Sequence, residues 1–341
     1  MFTTFKLKVN GEYVSDRIRK SVLQMVCDLQ TSIASETTLL LHDPEYRITD
    51  SATFDIGKDI VLEIGSRAMF RKLFLGNIVS IEPAVSDSLG TTVVIRAYDK
   101  SYMLRRNRPS RPPFLNKTDS DIARQIADEA GLSADVDETP IQHEYLQQTL
   151  SDWMFLDNRA KANGFLLSLR LDTLNFKKPG AGNYVVHQLK RKRDILKLGL
   201  RLSIVGQPSQ YVVRGWDVRQ KQAVVGTVTP KTSDVIIEGE RLGAEMAEDA
   251  FGPKRQINFD EQAMSQKEAE ILAKSRFADK AKAFISGHGE CVGLPDFRAG
   301  DKLELVNMGK KFSGQYYLKA VTHVINATGY RTRFSVERNA S

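Results

Sequence analysis

Residues 59–80 read DIVLEIGSRAMFRKLFLGNIVS, and residues 301–322 read DKLELVNMGKKFSGQYYLKAVT. A shift of 242 residues with no gap sets Asp59 on Asp301, Val61 on Leu303, Phe70 on Phe312 and Phe74 on Tyr316. The same shift sets Leu75 on Tyr317, Val79 on Val321 and Ser80 on Thr322. After a small slip, Ile95-Arg96-Ala97 meets Phe334-Ser335-Val336. Two β-rich stretches share alternation by default, so chance is one reading of this match. The other reading is an internal repeat: two similar antiparallel β-barrels, the second split by an insertion. Two such units per chain in a symmetric oligomer would give a ring with doubled pseudo-symmetry.

The chain around these segments alternates in character. Phe5, Leu7 and Val9 alternate with polar residues, and Asn10-Gly11 supplies a hairpin turn. Strand patterns follow over residues 22–33, 37–41, 60–64, 73–81 and 93–97. At Arg105 the composition changes to Arg105-Arg106-Asn107-Arg108-Pro109-Ser110-Arg111-Pro112-Pro113, which forbids regular structure. A helix follows, capped by Thr118 or Asp119, with Ile122, Ala123, Ile126, Ala127 and Ala130 on one face and Gly131 as its stop. A second helix is expected over Ser151–Ala162, then a hairpin across Leu171-Asp172. Strands resume at 198–205, 211–216 and 224–228, helices at 241–251 and 265–284, and strands from 283 to 336. Ser265 and Glu268 have capping-box spacing.

The expected fold is therefore a β-rich α+β chain of two barrels. Its divisions are a first barrel over 1–106, an α/β insert over 107–190, a second barrel over 191–230 and 285–341, and a helical insert over 231–284. The 341 residues suffice for about two domains without staples. No apolar run approaches the roughly 20 residues of a membrane helix. The N-terminus lacks a signal-peptide layout and reads as a strand. Two cysteines, Cys27 and Cys291, exclude a disulfide framework and fit a reducing compartment.

No constellation demands catalysis. The histidines His42, His143, His187, His288 and His323 form no i, i+4 metal pair. His288-Gly289-Glu290-Cys291 lacks the Pro-Cys-x-x-Cys partner of a zinc deaminase and is read as a strand-edge turn. There is no nucleophile elbow and no phosphate loop. Asp128, Glu129, Asp135, Asp137 and Glu138 read as a solvated acidic surface, and Trp153 and Trp216 as core anchors.

Charge is the remaining signal. Lys plus Arg number 49 against 42 acids, a net +7. Lys100–Lys117 holds six cations and no acid; Lys177–Arg201 holds eight against Asp194 alone. These two clusters carry +13, so the rest of the chain is acidic at −6. They are either solvated loops or faces for an acidic partner.

Three stretches carry a family resemblance. They are Asp119-Ser120-Asp121-Ile122-Ala123 through Ala130-Gly131-Leu132; Gln147 through Leu156 with Arg159-Ala160, Asn163-Gly164-Phe165 and Leu174-Asn175-Phe176; and Val213-Arg214-Gly215-Trp216-Asp217 with Lys221 and Gly226. In order and spacing they resemble the tail-hub, or phage late control gene D, family of contractile injection machines. That family includes the hub portion of the type VI secretion spike protein VgrG and extracellular injection-system spikes. The resemblance implies a non-enzymatic homotrimer whose barrels form a pseudo-six-fold ring, adapting a hexameric tail tube to a trimeric spike. It implies assembly in a bacterial cytoplasm into a phage tail or injection particle. Implied partners are itself, the tube protein, other baseplate components, and a separate or fused spike with an OB-fold and β-helix. No cofactor, metal or stable membrane insertion is implied, and nucleic acid only as transient cargo. Many relatives continue into that spike, whereas this sequence ends at Arg338-Asn339-Ala340-Ser341. Partner-docking candidates are Arg105, Arg106, Arg108, Lys190, Arg191, Lys192, Arg193, Phe334, Val336 and Arg338. Two other readings stay open: a nucleic-acid-binding protein using the basic clusters, and a cell-wall lytic hub enzyme using paired carboxylates.

Overall fold

The computed structural model describes residues 4–341 except 32, 67–68, 107–110, 179–184 and 234–238, and the side chains of 66 and 259–262 are left aside. β1 (Thr4–Val9) and β2 (Glu12–Tyr13) form a hairpin, and α1 (Asp16–Ser21) leads to β3 (Val22–Gln30). β4 (Glu36–His42), β5 (Asp59–Ser66), β6 (Met69–Ser86) and β7 (Gly90–Asp99) complete this half. α2 (Ser101–Arg105), β8 (Phe114–Thr118), α3 (Asp119–Glu129), β9 (Ser133–Val136), β10 (Gln142–Leu146), α4 (Asp152–Asn163), β11 (Leu166–Arg170) and β12 (Thr173–Lys177) form the middle. β13 (Val186–Lys190), β14 (Ile195–Leu202), β15 (Gln210–Asp217), β16 (Gln222–Val228), α5 (Gly243–Phe251), β17 (Arg255–Ala263) and α6 (Gln266–Ala281) follow. β18 (Ile285–Val292), β19 (Lys302–Val306), β20 (Gly314–Asn326) and β21 (Gly329–Arg338) end the chain.

Among the described residues, thirteen strands join in one large sheet. It contains two runs of like order. The first is β3-β4-β7-β6-β5-β1, and the second is β14-β18-β21-β20-β19-β13. Pairing is antiparallel throughout these runs except between β13 and β19, which are parallel. Each run has its own core. Leu39, Leu41, Ile60, Leu62 and Ile95 are buried in the first, and Leu303, Leu305, Leu318, Val321 and Phe334 in the second. The alternating strand patterns put these residues on one face of the pleat.

The repeat survives, but its register differs from the gapless match. Ile60 lies opposite Gly76, and Leu303 opposite Tyr316. Residue 60 thus answers to 303 and residue 76 to 316, shifts of 243 and 240. Ile95 and Phe334 are equivalent, a shift of 239. The slip at Ile95-Arg96-Ala97 was read correctly. The pairing of Val61 with Leu303 was not: the pleat buries Ile60 and Leu62 and leaves Val61 half-buried. The reason is hairpin length. β5 and β6 pair out to Ser66 and Met69, whereas β19 and β20 stop at Leu305 and Gly314. Both halves also carry a bulge at the matching place, between Ile78 and Ser80 and between Leu318 and Ala320.

The middle packs around Ile122, Ile126, Trp153, Leu156, Leu174 and Phe176. Thr118 and Asp121 close a capping box on α3, and Gly164, at φ 69°, ends α4 in the left-handed region. One expectation is corrected here. β15 and β16, assigned from sequence to the second barrel, do not join the large sheet. β15 pairs instead with β16 on one side and in parallel with β17 on the other, and α6 covers this three-stranded sheet with Ala269, Ala273 and Phe277. The stretch 231–284 therefore contains a strand as well as helices. Trp153 is a core anchor, but Trp216 is 53% exposed. His288–Cys291 lies inside β18 and is not a turn.

Candidate functional site

The docking candidates divide by burial. Phe334 and Val336 point into the second core at 3% and 1% exposed, so their side chains are occupied within the chain. Arg338 is also buried: it lies 5.4 Å over the Tyr316 ring and donates to the Ser313 carbonyl at 2.8 Å. Their strand alternation placed them on one face, but that face is the inner one. Arg105 is half-buried with its guanidinium 4.5 Å over the Trp153 ring, while Arg106 is exposed. Arg108 lies outside the described residues. Arg111, from the same cluster, pairs with Glu129 at 2.8 Å and Asp152 at 3.1 Å. The first basic cluster is thus partly consumed in tying α2, α3 and α4 together.

The second cluster keeps more of its charge outside. Lys177 pairs with Asp135 at 2.5 Å and Asp137 at 3.2 Å. Arg193 pairs with Asp194 at 2.8 Å, and the arginine holds that carboxyl below its usual range. Asp194 also accepts from the Lys190 backbone, closing the tight β13–β14 turn. Arg191, Lys192, Lys197 and Arg201 are exposed along this turn and on β14.

The halves meet where β20 pairs with β3, from Ala320 opposite Gln30 to Asn326 opposite Gln24. Thr322 donates across this seam to Asp28 at 2.8 Å. Arg298 staples it from the side: its guanidinium donates to the carbonyls of Pro295, Phe297 and Lys72, the last in β6. A cleft of about 470 Å³ opens beside the seam, lined in part by Asp99, Arg170, Arg298 and Asp301. Asp301 pairs with Arg170 at 3.4 Å and His187 at 3.2 Å. Asp99 accepts from Ser35 and Ser101; burial nevertheless keeps its carboxyl above the usual range. These charges are committed to holding three segments together. In the insert, burial would raise the Asp119 pKa, but hydrogen bonds from His143 and Arg159 hold it at about 2, a structural carboxylate. Burial pushes the Cys27 and Cys291 thiols up to about 12, so neither is a nucleophile near neutral pH. Among the described residues, no group of three His, Cys, Asp or Glu could hold a metal ion. No helix there is long and apolar enough to cross a membrane.

Among the described residues, two of the open strand edges occupy related places in the two halves. Beyond Asn77, the β6 edge next to β5 carries no strand among the described residues, so Ser80–Ser86 pairs only with β7. Among the described residues, β14 pairs only with β18. Such edges offer rows of backbone donors and acceptors to another strand.

A family model described as the Alg8 N-terminal domain matches residues 1–327. The chain belongs to that family. No curated protein matches it. The prophage MuSo2 43 kDa tail protein from Shewanella oneidensis has a similar structure, with TM-score 0.75, 13% identity and 98% of each chain covered. The tail protein from Neisseria meningitidis MC58 matches with TM-score 0.71 and 13% identity over 99% of this chain and 97% of that one. The E. coli c3393 protein, a type VI secretion component similar to T4 tail proteins gp27 and gp5, matches at 0.61 and 12%. It is covered over 77% of its length by 98% of this chain. At these identities the likeness shows the fold: this family member shares the fold of phage tail proteins and of a type VI secretion component.

The open edges were missed by the sequence reading. A signal existed: the alternation that becomes β6 runs past the reach of β5, and Pro83 marks it as an edge.

Proposed function

We propose that the chain is the structural baseplate hub of a contractile tail or injection system. Three copies form a pseudo-six-fold ring joining a hexameric tail tube to a trimeric spike, without catalysis. Each six-strand run is read as one barrel, and the α/β middle and the β15–β17 unit as inserts on it. The observation that carries this reading is the doubled strand order, in a chain whose fold matches a prophage tail protein over 98% of its length. A chain with two similar units offers three-fold and near-six-fold faces at once. The nucleic-acid reading has less free charge than the basic clusters suggest, because Arg105, Arg111, Lys177 and Arg193 are committed within the chain. Mass measurement should give three copies, alone or with tube and spike proteins from the same particle. A strict monomer that joins neither protein overturns the proposal.

A further inference from the structure

The two halves differ at one matching place. Ser80–Ser86 of β6 is the counterpart of Ala320–Asn326 of β20, both following the bulge. In β20 this segment is covered by β3. In β6 it is open: Glu82 to Ser86 are all exposed, Val85 at 70%. The counterpart of β3 is β14, matched through β4 and β18: Met25 answers to Leu198, Cys27 to Leu200 and Leu29 to Leu202. β14 is likewise open on its outer side among the described residues. Each half thus has one member of a seam, and only one of the two seams can form within a chain.

We propose that β6 of one copy pairs with β14 of a second copy, in the register of the β20–β3 seam. This rests on the ring reading above and names its contact. Val321 opposite Leu29 and Ile325 opposite Met25 translate to Ile81 opposite Leu202 and Val85 opposite Leu198. Thr322 opposite Asp28, which are hydrogen-bonded, translates to Glu82 opposite Arg201. That register places an exposed acid against an exposed base. Arg201 has no ion pair among the described residues, and Glu82 is shared with Arg96. Ser86 meets Lys197, beside Asp87. The partner is therefore a second copy, by charge complementarity and by the seam's own precedent. Pro83 lacks an amide hydrogen, so the proposed ladder is one donor short at that residue. Such a head-to-tail contact is heterologous, and it gives a ring where its rotation closes.

Cross-linking tests the register. A chain carrying Val85→Cys and Leu198→Cys should oxidise to covalent oligomers on a non-reducing gel, since opposed Cα atoms lie within disulfide reach. A chain carrying Val85→Cys and Lys197→Cys should not, because a slip of one residue turns the thiols to opposite faces. The native thiols are buried and do not compete. Arg201→Glu should weaken association about tenfold, and adding Glu82→Arg should restore it, with circular dichroism confirming the fold of each variant. A trimer by mass that neither cross-links at Val85 and Leu198 nor responds to Arg201→Glu overturns the edge pairing and leaves the ring standing. A monomer that never cross-links removes both.

Discussion

His323 shows how a single side chain ties pH to stability. It is buried on β20 opposite Cys27, at the seam. Its Nε2–H donates to the Phe297 carbonyl at 3.1 Å, so Nδ1 accepts from the Tyr330 hydroxyl at 2.7 Å. Burial first, and the Arg298 charge second, push its pKa down to about 3. An unfolded histidine titrates near 6.5. The neutral ring's contribution is therefore complete above about pH 6.5. It is lost as pH falls toward 3, at roughly 1.4 kcal/mol per pH unit. Urea midpoints should drop from pH 7 to pH 5, and His323→Gln should flatten that drop. An equal slope in the variant would assign the acid sensitivity elsewhere.

At the scale of elements, the helices were the most legible. The Thr118–Asp121 box and Gly164 are local signals, so α3 and α4 appear within one or two residues of their expected bounds. The β15–β17 unit was not legible. β17 pairs parallel to a strand some forty residues earlier, and the connection that carries β16 and α5 must cross over to make that possible. Its tight fit shows at Gly226, where an added Cβ would lie 1.9 Å from the Ala269 carbonyl oxygen. Gly226→Ala should force α6 away from the sheet and cost about 3 kcal/mol. Thermal melting would register it as a lower Tm, and an unchanged Tm would show that α6 can slide.

For the whole molecule, the seam between halves decides whether the chain behaves as one cooperative body. Arg298 reaches from the segment before β19 to the Lys72 carbonyl in β6. Arg298→Ala would take this donor from the Pro295 and Lys72 carbonyls and leave the Phe297 carbonyl to His323 alone, each orphaned carbonyl costing about 1–3 kcal/mol if left buried. Calorimetry should then resolve the two halves as separate transitions where the unaltered chain gives closer ones. A single sharp transition in the variant would place the coupling in the β3–β20 ladder alone. The docking candidates read differently at this scale too. Phe334, Val336 and Arg338 were sound as a strand pattern, but only the packed second core shows that they face inward.

By itself the amino-acid sequence determined the local elements, the doubled pattern and the two basic clusters, because caps, turns and side-chain alternation are encoded within a few neighbouring residues. Only the tertiary structure decided the register of the repeat, the separate β15–β17 sheet and the two open edges. Those depend on hydrogen-bond ladders between strands tens to hundreds of residues apart. In a pleated strand, a slip of one residue exchanges the buried face for the exposed one.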